Sequence, residues 1–155
     1  MKKLILLLFI PLVSFSQTYD DIMSIDSKDQ FVRVMIENGF EMIKSNETEL
    51  VYALDPNSDG SSSSFANYST VDNGDSIMFQ FTTTDFFGNP TEENQYDKIY
   101  RVAKSKCEYD ELIGSILEKS KAQMVKYKCG SKRIAFQKED GKGYIFYINP
   151  VMFNN

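Results

Sequence analysis

The pattern of apolar and polar residues along this 155-residue chain predicts a mixture of helices and short strands. In two segments the apolar residues recur three and four positions apart, which is the spacing of one helix face. Elsewhere apolar and polar residues alternate in short runs that end at Gly, Asn, Asp or Ser, as β-strands joined by turns do. The chain is therefore expected to adopt an α+β fold.

The first helix is predicted over residues 28–38. Ser27 and Gln30 have the spacing of a capping box, in which two side chains satisfy backbone N–H groups at the start of a helix. Gly39 suits the left-handed position that commonly follows a helix. The apolar face of this helix consists of Phe31, Val34 and Met35.

A second helix is predicted over residues 109–117, where a stripe at helical spacing contains Tyr109, Leu112, Ile113, Ile116 and Leu117. Residues 96–104 alternate well enough to be a strand, although the same residues also permit a helix. The other predicted strands cover residues 40–45, 49–54, 65–70, 76–83, 124–129, 133–138 and 143–149. These elements predict a sheet of seven to eight strands.

The predicted elements also indicate an internal repeat. A shift of 82 residues places the apolar residues of the first helix over Ile113, Ile116 and Leu117, so that each helix precedes an antiparallel meander. We therefore expect two amphipathic helices packed on one side of a largely antiparallel sheet, with a tandem α-β-β-β repeat. This arrangement resembles the β-lactamase-inhibitor-like proteins over about 17 aligned positions in each repeat. The resemblance implies an inhibitor-type binding protein and assigns no binding residue.

Residues 1–16 have the three parts of a secretory signal peptide. A short basic start precedes the apolar run of residues 4–13, which is too short to cross a bilayer, and Ser14 and Ser16 supply small residues before a cleavage site. We expect cleavage between Ser16 and Gln17 and export to the periplasm or beyond the cell. No second long apolar segment follows, so the mature chain is expected to have no transmembrane helix.

The mature chain is predicted to contain one domain. Residues 17–26 are polar and acidic with little periodicity, and are predicted to form a loose N-terminal arm. Residues 27–155 are predicted to form a single α+β domain, because their number suits one hydrophobic core.

Charge is unevenly distributed along the chain. Residues 17–95 contain 3 Lys/Arg and 15 Asp/Glu, whereas residues 96–155 contain 12 Lys/Arg and 7 Asp/Glu. Either the two halves attract each other within one fold, or the basic half binds an anionic partner. We favour the first interpretation, because halves of a sequence need not be halves of a structure. The absence of His removes the commonest general base and metal ligand, and the pI of about 4.8 argues against nucleic-acid binding.

Cys107 and Cys129 are the only cysteines, and an exported chain favours a disulfide between them. A helix running from Cys107 and a strand returning from residue 123 have matching lengths, which would bring the two thiols together. Val125 and Tyr127 share a face with Cys129, and this face is expected to pack against the helix. The alternative is a pair of buried free thiols.

Residues 55–60 match the first half of a calcium loop, with Asp55, Asn57 and Asp59 at alternating ligand positions. The match ends at Ala66, which occupies the position of the bidentate glutamate. Asp, Asn, Gly and Ser are also the residues of any polar hairpin loop. We therefore expect weak or no calcium binding and no other cofactor.

A partner surface is predicted from exposed aromatic and basic residues. Aromatic side chains in loops or on solvent-facing strand positions are typical of protein interfaces, and clustered basic residues favour anionic ligands. The alternatives are burial of the loop aromatics against the core, which we favour for that pair, and simple solvation of the basic residues. The predicted surface contains Tyr68, Phe86, Phe87, Lys126, Lys128, Arg133 and Tyr147.

The leading functional hypothesis is an exported, non-catalytic binding or inhibitor-type module that acts on an extracytoplasmic protein or an anionic surface ligand. One alternative is a small hydrolase using a pair of carboxylates. The carboxylates available for it include Glu47, Glu49, Asp72 and Asp75, although the sequence places no pair across a cleft. Another alternative is a calcium-dependent structural or adhesion domain.

Overall fold

The computed structural model describes residues 17–58, 62–71, 74–85, 87–91, 93–114 and 121–148. In these residues one eight-stranded antiparallel sheet is accompanied by three short helices, so the predicted α+β fold is confirmed. The strand count agrees with the upper value expected from the sequence. Among the described residues, no helix combines the length and the apolar character needed to cross a membrane.

The elements follow one another in a simple order. The helices are α1 (Tyr19–Met23), α2 (Lys28–Glu37) and α3 (Gln95–Lys106). The strands are β1 (Phe40–Ser45), β2 (Glu49–Leu54), β3 (Ser64–Val71), β4 (Gly74–Thr82), β5 (Glu108–Gly114), β6 (Gln123–Cys129), β7 (Lys132–Glu139) and β8 (Lys142–Ile148). Within the sheet they lie in the order β1-β2-β3-β4-β8-β7-β6-β5, so β1 and β5 are the edges.

Two units of the same topology make up this sheet, each a helix followed by a four-stranded meander. β1 begins at Phe40 and β5 at Glu108, a shift of 68 positions, and the same shift relates the first residues of β3 and β7 and of β4 and β8. The repeat is therefore α-β-β-β-β, one strand longer than predicted. The predicted shift of 82 residues is wrong because it aligned α2 with Ile113, which lies in β5.

The elements around Cys107 differ most from expectation. Residues 96–104, whose pattern allowed a strand or a helix, belong to helix α3, which begins where the Asn94 side chain accepts a hydrogen bond from the Asp97 N–H. Its buried residues repeat at helical spacing and are Tyr96, Ile99 and Ala103. The helix predicted over residues 109–117 is strand β5 as far as Gly114, and the rest of that prediction lies outside the described residues.

The predicted loose arm is wrong as well. Thr18 caps α1 through a complete capping box with Asp21, and Ile22 and Ile25 are fully buried. The Tyr147 hydroxyl donates a hydrogen bond to the Ile25 carbonyl at 2.8 Å. Helix α1 contains only five residues, which is too few for an apolar periodicity to be visible in the sequence.

Helix α2 agrees closely with the prediction. Ser27 Oγ accepts from the Gln30 N–H at 3.2 Å, and Gly39 follows the helix with φ of 76°. The Gln30 side chain accepts from the Asp26 N–H at 2.6 Å, one residue before the expected position. The apolar face then packs onto the sheet through Phe31, whose ring lies 5.5–6.4 Å from three rings on successive strands: Tyr52, Tyr68 and Phe79.

All three helices contact the same face of the sheet. The sequence predicted two helices, both on one side. On the second unit, α3 lies so close to β8 that a Cβ atom at Gly143 would be 2.3 Å from Cγ of Tyr96. Only glycine therefore fits beneath the Tyr96 ring. The opposite face carries a smaller buried cluster formed by Met124, Ala135 and Phe146.

Candidate functional site

The two edge strands hold most of the exposed apolar surface in the described part of the chain. Its exposed large hydrophobic side chains are Ile36, Met42, Ile43, Phe87, Tyr109 and Leu112. Two of these belong to β1 and two to β5. An edge strand presents backbone N–H and C=O groups that are free to pair with another chain, so apolar side chains there are a sign of a binding site.

Strand β1 is interrupted by a β-bulge. Met42 is opposite Tyr52 and Lys44 is opposite Val51, so Ile43 is the extra residue with no cross-strand partner. Met42 is 55% exposed and Ile43 is 44% exposed. Since a bulge disturbs the alternation of side chains, it allows two successive apolar residues to reach solvent.

Ile36 is a further exposed apolar residue on the neighbouring helix. It is exposed on α2, the helix that packs against β1. We refer to Ile36, Met42 and Ile43 together as the β1 edge site. This site was not predicted from the sequence. The available signal was the adjacent apolar pair at residues 42–43, which breaks the alternation expected of a regular strand.

Strand β5 has a bulge at the corresponding place, with a different residue in it. Tyr109 is opposite Tyr127 and Glu111 is opposite Lys126, so Asp110 is the extra residue. The Asp110 carboxylate lies 3.4 Å from Lys126 Nζ and 3.6 Å from Arg133 Nε. This bulge therefore ties the edge strand to the two strands behind it.

Three of the predicted partner residues, Lys126, Lys128 and Arg133, do share the sheet face opposite the helices. Their charge is largely compensated, because Lys126 pairs with Glu111 as well as with Asp110. The hydrogen bond to Glu111 raises the pKa of Lys126. Lys128 is exposed and is opposite both Glu108 and Arg133. The face is thus an ion-pair cluster joining β5, β6 and β7, and an anionic ligand would compete with Asp110 for it.

Tyr68 and Tyr147 were expected on the solvent side, and the structure shows that this is wrong. Both are buried on the helix-covered face, where Tyr68 donates to Asp75 and Tyr147 donates to the Ile25 carbonyl. Burial raises the pKa of both hydroxyls. The alternation of apolar and polar residues did not show which side chains are buried, because both faces of the sheet carry apolar residues.

The loop around the predicted aromatic pair is held by one carboxylate. Asp85 accepts from the backbone N–H of Asn89 at 2.8 Å and from that of Phe87 at 2.9 Å, and these bonds, led by Asn89, lower the pKa of Asp85. Phe87 is 84% exposed, so the favoured expectation that it folds onto the core is wrong, and Phe86 lies outside the described residues.

The predicted calcium ligands lie between β2 and β3, in a hairpin connection. Asp55 adopts a positive φ of 47°, which is a turn conformation that Asp tolerates. Asp55 and Asn57 are exposed, and Asp59 lies outside the described residues. In the described part of the chain, no three His, Cys, Asp or Glu side chains are grouped so as to hold a metal ion.

The carboxylates considered for hydrolysis are separated by the sheet. Glu49 alternates with the buried Leu50 and so faces away from the helices, whereas Asp75 meets Tyr68 on the helix-covered face. Glu49 is also engaged by Lys44 and by Asn67 Nδ2 at 2.7 Å, and the hydrogen bond from Lys44 is the main reason that its pKa is lowered. Glu47 is exposed in the β1–β2 turn, and Asp72 lies outside the described residues.

Cys107 and Cys129 form the predicted disulfide, with their Cα atoms 4.6 Å apart. The predicted reason was wrong, because the bond closes the open end of the β5–β6 hairpin rather than joining a helix to a strand. Glu108 is opposite Lys128, and the cysteines are the next pair beyond. The Tyr19 hydroxyl lies 3.0 Å from Cys107 Sγ, which connects α1 to the same end of the hairpin.

The charge asymmetry of the sequence is also an asymmetry of the structure. Each half of the sheet is formed by one continuous stretch of chain, so the acidic and basic halves of the sequence are spatial halves. The acidic segment before α2 crosses to the basic half, where Asp20 pairs with Lys106 at 2.9 Å and Asp26 with Lys132 at 2.6 Å. These ion pairs support the interpretation that the halves attract each other.

The exposed side of α3 keeps basic residues beyond those pairs. Lys98 and Arg101 line an open groove of about 350 Å³ with Val102 and Ser105. The groove is shallow, and its Ser105 Oγ donates to the Val102 carbonyl at 2.8 Å. No protein-family model, curated protein or solved structure matches this chain.

Proposed function

We propose that this protein is an exported, non-catalytic binding module, and that β1 receives an extended segment of a partner protein as an additional strand. The observation that carries the proposal is the bulge residue Ile43, which is apolar, exposed and placed on an edge strand. Strand addition draws affinity from backbone hydrogen bonds and specificity from alternate side chains.

The other edge is a poorer site for the same partner. Its bulge residue, Asp110, is engaged by Lys126 and Arg133, so pairing with a new strand would disturb an existing ion-pair cluster. Tyr109 packs its ring edge-on against Tyr127, with 6.3 Å between the ring centroids. Ile43, by contrast, is an apolar bulge residue that is 44% exposed and has no place in the β1–β2 register.

The chemistry around β1 specifies the kind of partner. Apolar side chains on the added strand would cover Met42 and Ile43, and full burial of one such side chain contributes about 1.5–3 kcal/mol. Glu41 lies on β1 and Glu47 follows it, whereas Glu37 already pairs with Arg33 at 3.8 Å and the lysine of β1 is paired with Glu49. We therefore expect an extended segment that combines apolar residues with Lys or Arg.

Export is part of the proposal and rests on the signal-peptide pattern of residues 1–16. The disulfide supports it, because such bonds persist mainly in oxidising compartments. An inhibitor-type role, as the resemblance to β-lactamase-inhibitor-like proteins implies, is one form that binding through an edge could take. The hydrolase alternative is less well supported, since Glu49 and Asp75 are on opposite faces of the sheet.

Matched edge variants test this proposal. Immobilised wild-type protein, Ile43→Lys and the control Leu112→Lys on β5 are exposed to the native extracytoplasmic fraction, and captured proteins are identified by mass spectrometry. We expect one partner to be lost with Ile43→Lys and retained with Leu112→Lys. Amide hydrogen exchange of β1 should slow when that partner is added.

Melting curves show whether both variants remain folded, which we expect because both residues are exposed. Retention of every partner by Ile43→Lys, or loss only with Leu112→Lys, would contradict the assignment of the site to β1.

A further inference from the structure

Gln17 is a polar residue whose side chain is buried. It is 1% exposed, and its side-chain Oε1 is buried with no hydrogen-bond partner. Its Nε2 has only the thioether sulfur of Met35, 3.7 Å away, which is a weak acceptor. The main chain is held firmly at the same point, because the Gln17 carbonyl accepts from Gln95 Nε2 and the next residue, Thr18, caps α1.

Cleavage after Ser16 would make this buried residue the N-terminus of the mature chain. An α-amino group has a pKa of about 8, so it would carry a positive charge at neutral pH. Placing that charge at a buried residue is unfavourable unless it is compensated. The carboxylate of Asp21 on α1 already accepts from Thr18 N at 2.8 Å and from Thr18 Oγ1 at 2.7 Å.

An N-terminal glutamine can lose this charge by cyclising. Its α-amino nitrogen attacks the side-chain amide carbon, a new C–N bond forms, the C–Nε2 bond breaks, and ammonia leaves. The product is a five-membered lactam with no charge. The reaction needs no oxidant and no second substrate.

We propose that Gln17 is a modification site, converted to an N-terminal pyroglutamate that is buried beside Met35 and Gln95 in the folded protein. The proposal rests on the export and cleavage proposed above. Cyclisation removes the amine charge and gives up only the contact between Nε2 and sulfur. The carbonyl that accepts from Gln95 is retained. Because the side chain is buried after folding, the ring closes between cleavage and folding.

Intact mass and N-terminal sequencing of protein recovered after export test the proposal. We expect residues 17–155 at a mass lower by one ammonia, with no residue released by Edman sequencing. Pyroglutamyl aminopeptidase should open the unfolded chain so that sequencing begins at Thr18, and should leave the folded protein intact. The exported variant Gln17→Met, which cannot cyclise, is the control and should be sequenced directly.

Three results would overturn the proposal. A chain that begins with an uncyclised Gln17 shows that the lactam does not form, although cleavage is correct. Equal cleavage of folded and unfolded protein by the aminopeptidase shows that the terminus is not buried. A chain that begins at any other residue shows that the cleavage prediction itself is wrong, and removes the amine on which the modification depends.

Discussion

The two halves of this sheet share one topology and treat their outer edges differently. Each meander begins with a bulged strand, and the extra residue is Ile43 in the first half and Asp110 in the second. Asp110 forms ion pairs with Lys126 and Arg133, whereas Ile43 is exposed to solvent. The same backbone device therefore carries an ion-paired carboxylate at one edge of the sheet and an exposed apolar side chain at the other.

The ends of the two edge hairpins differ in the same way. In the second half Cys107 and Cys129 are joined by a disulfide, and Tyr19 reaches the bond from α1. The corresponding pair in the first half, one step beyond the contact of Phe40 with Leu54, is Gly39 and Asp55. Both of these have positive φ angles, 76° and 47°, so they turn the chain and form no cross-link.

Removing the cross-link should have the largest effect on this asymmetry. We expect the double variant Cys107→Ala, Cys129→Ala to lower the free energy of unfolding by about 2–4 kcal/mol, because the bond restricts the unfolded chain. Denaturant unfolding measures this change. Hydrogen exchange should increase in β5 more than in β1, and an equal increase in both edges would contradict the distinction between them.

A glycine in the second half should reveal how tightly α3 is seated. The residue 68 positions before Gly143 is Asp75, so the first half accommodates a side chain where the second cannot. We expect Gly143→Ala to cost about 1–3 kcal/mol by overpacking against the Tyr96 ring. Thermal melting measures the loss, and the added substitution Tyr96→Ala should make the Gly143→Ala step nearly neutral. A full cost in that background would place the strain elsewhere.

The β5 bulge can be tested by weakening its ion pairs. Asp110→Asn keeps the size of the side chain and removes its charge, and we expect a loss of about 1 kcal/mol because the contacts with Lys126 and Arg133 are partly shielded from solvent. Ile43→Asn at the matching bulge should change stability by less than about 0.5 kcal/mol. Chemical denaturation of both variants gives the comparison, and a larger cost at residue 43 would reverse our interpretation of the edges.

The smallest expected effect concerns pH. The pKa of Glu49 is lowered in the folded state, so its contribution is present above the unfolded value of about 4.3 and is lost as the pH falls through the folded value. We expect Glu49→Gln to be about 0.2–1 kcal/mol less stable than wild type at neutral pH. This difference should shrink as the pH is lowered below about 4.3 in melting experiments, whereas a constant difference would show that charge is not its cause. Glu41→Gln on β1 is the control.

The parts of the fold that the sequence predicted are those with complete local signals. Helix α2 has its cap, its apolar face and Gly39 within one short stretch, and the disulfide needed only an even cysteine count and an oxidising compartment. Strand β5 was predicted as a helix because the bulge at Asp110 shifts its alternation, whereas residues 96–104 were left open because they fit both patterns. After that shift, the apolar residues 109, 112 and 113 have the spacing of a helix face.

The site was harder to predict than the fold because it depends on long-range arrangement. Burial of Tyr68 and Tyr147 is decided by which face the helices cover, and both faces carry apolar residues. The pairing of Lys126 with Asp110 depends on β5 lying beside β6. The exposure of Ile43 follows from β1 being an edge strand. The order of strands in the sheet cannot be predicted from any single segment of the chain.

The strand order also has a consequence for the way the chain folds. Contacts within each meander join neighbouring strands, but the ladder between β4 and β8 joins residues as distant as Ile77 and Tyr147. Forming this central ladder requires the closure of a long loop, which costs entropy before any contact is gained. We therefore expect the two halves to organise first and the middle of the sheet to close last. Until then β4 and β8 are both open edges, so at high protein concentration β4 of one chain can pair with β8 of another and give an intertwined dimer.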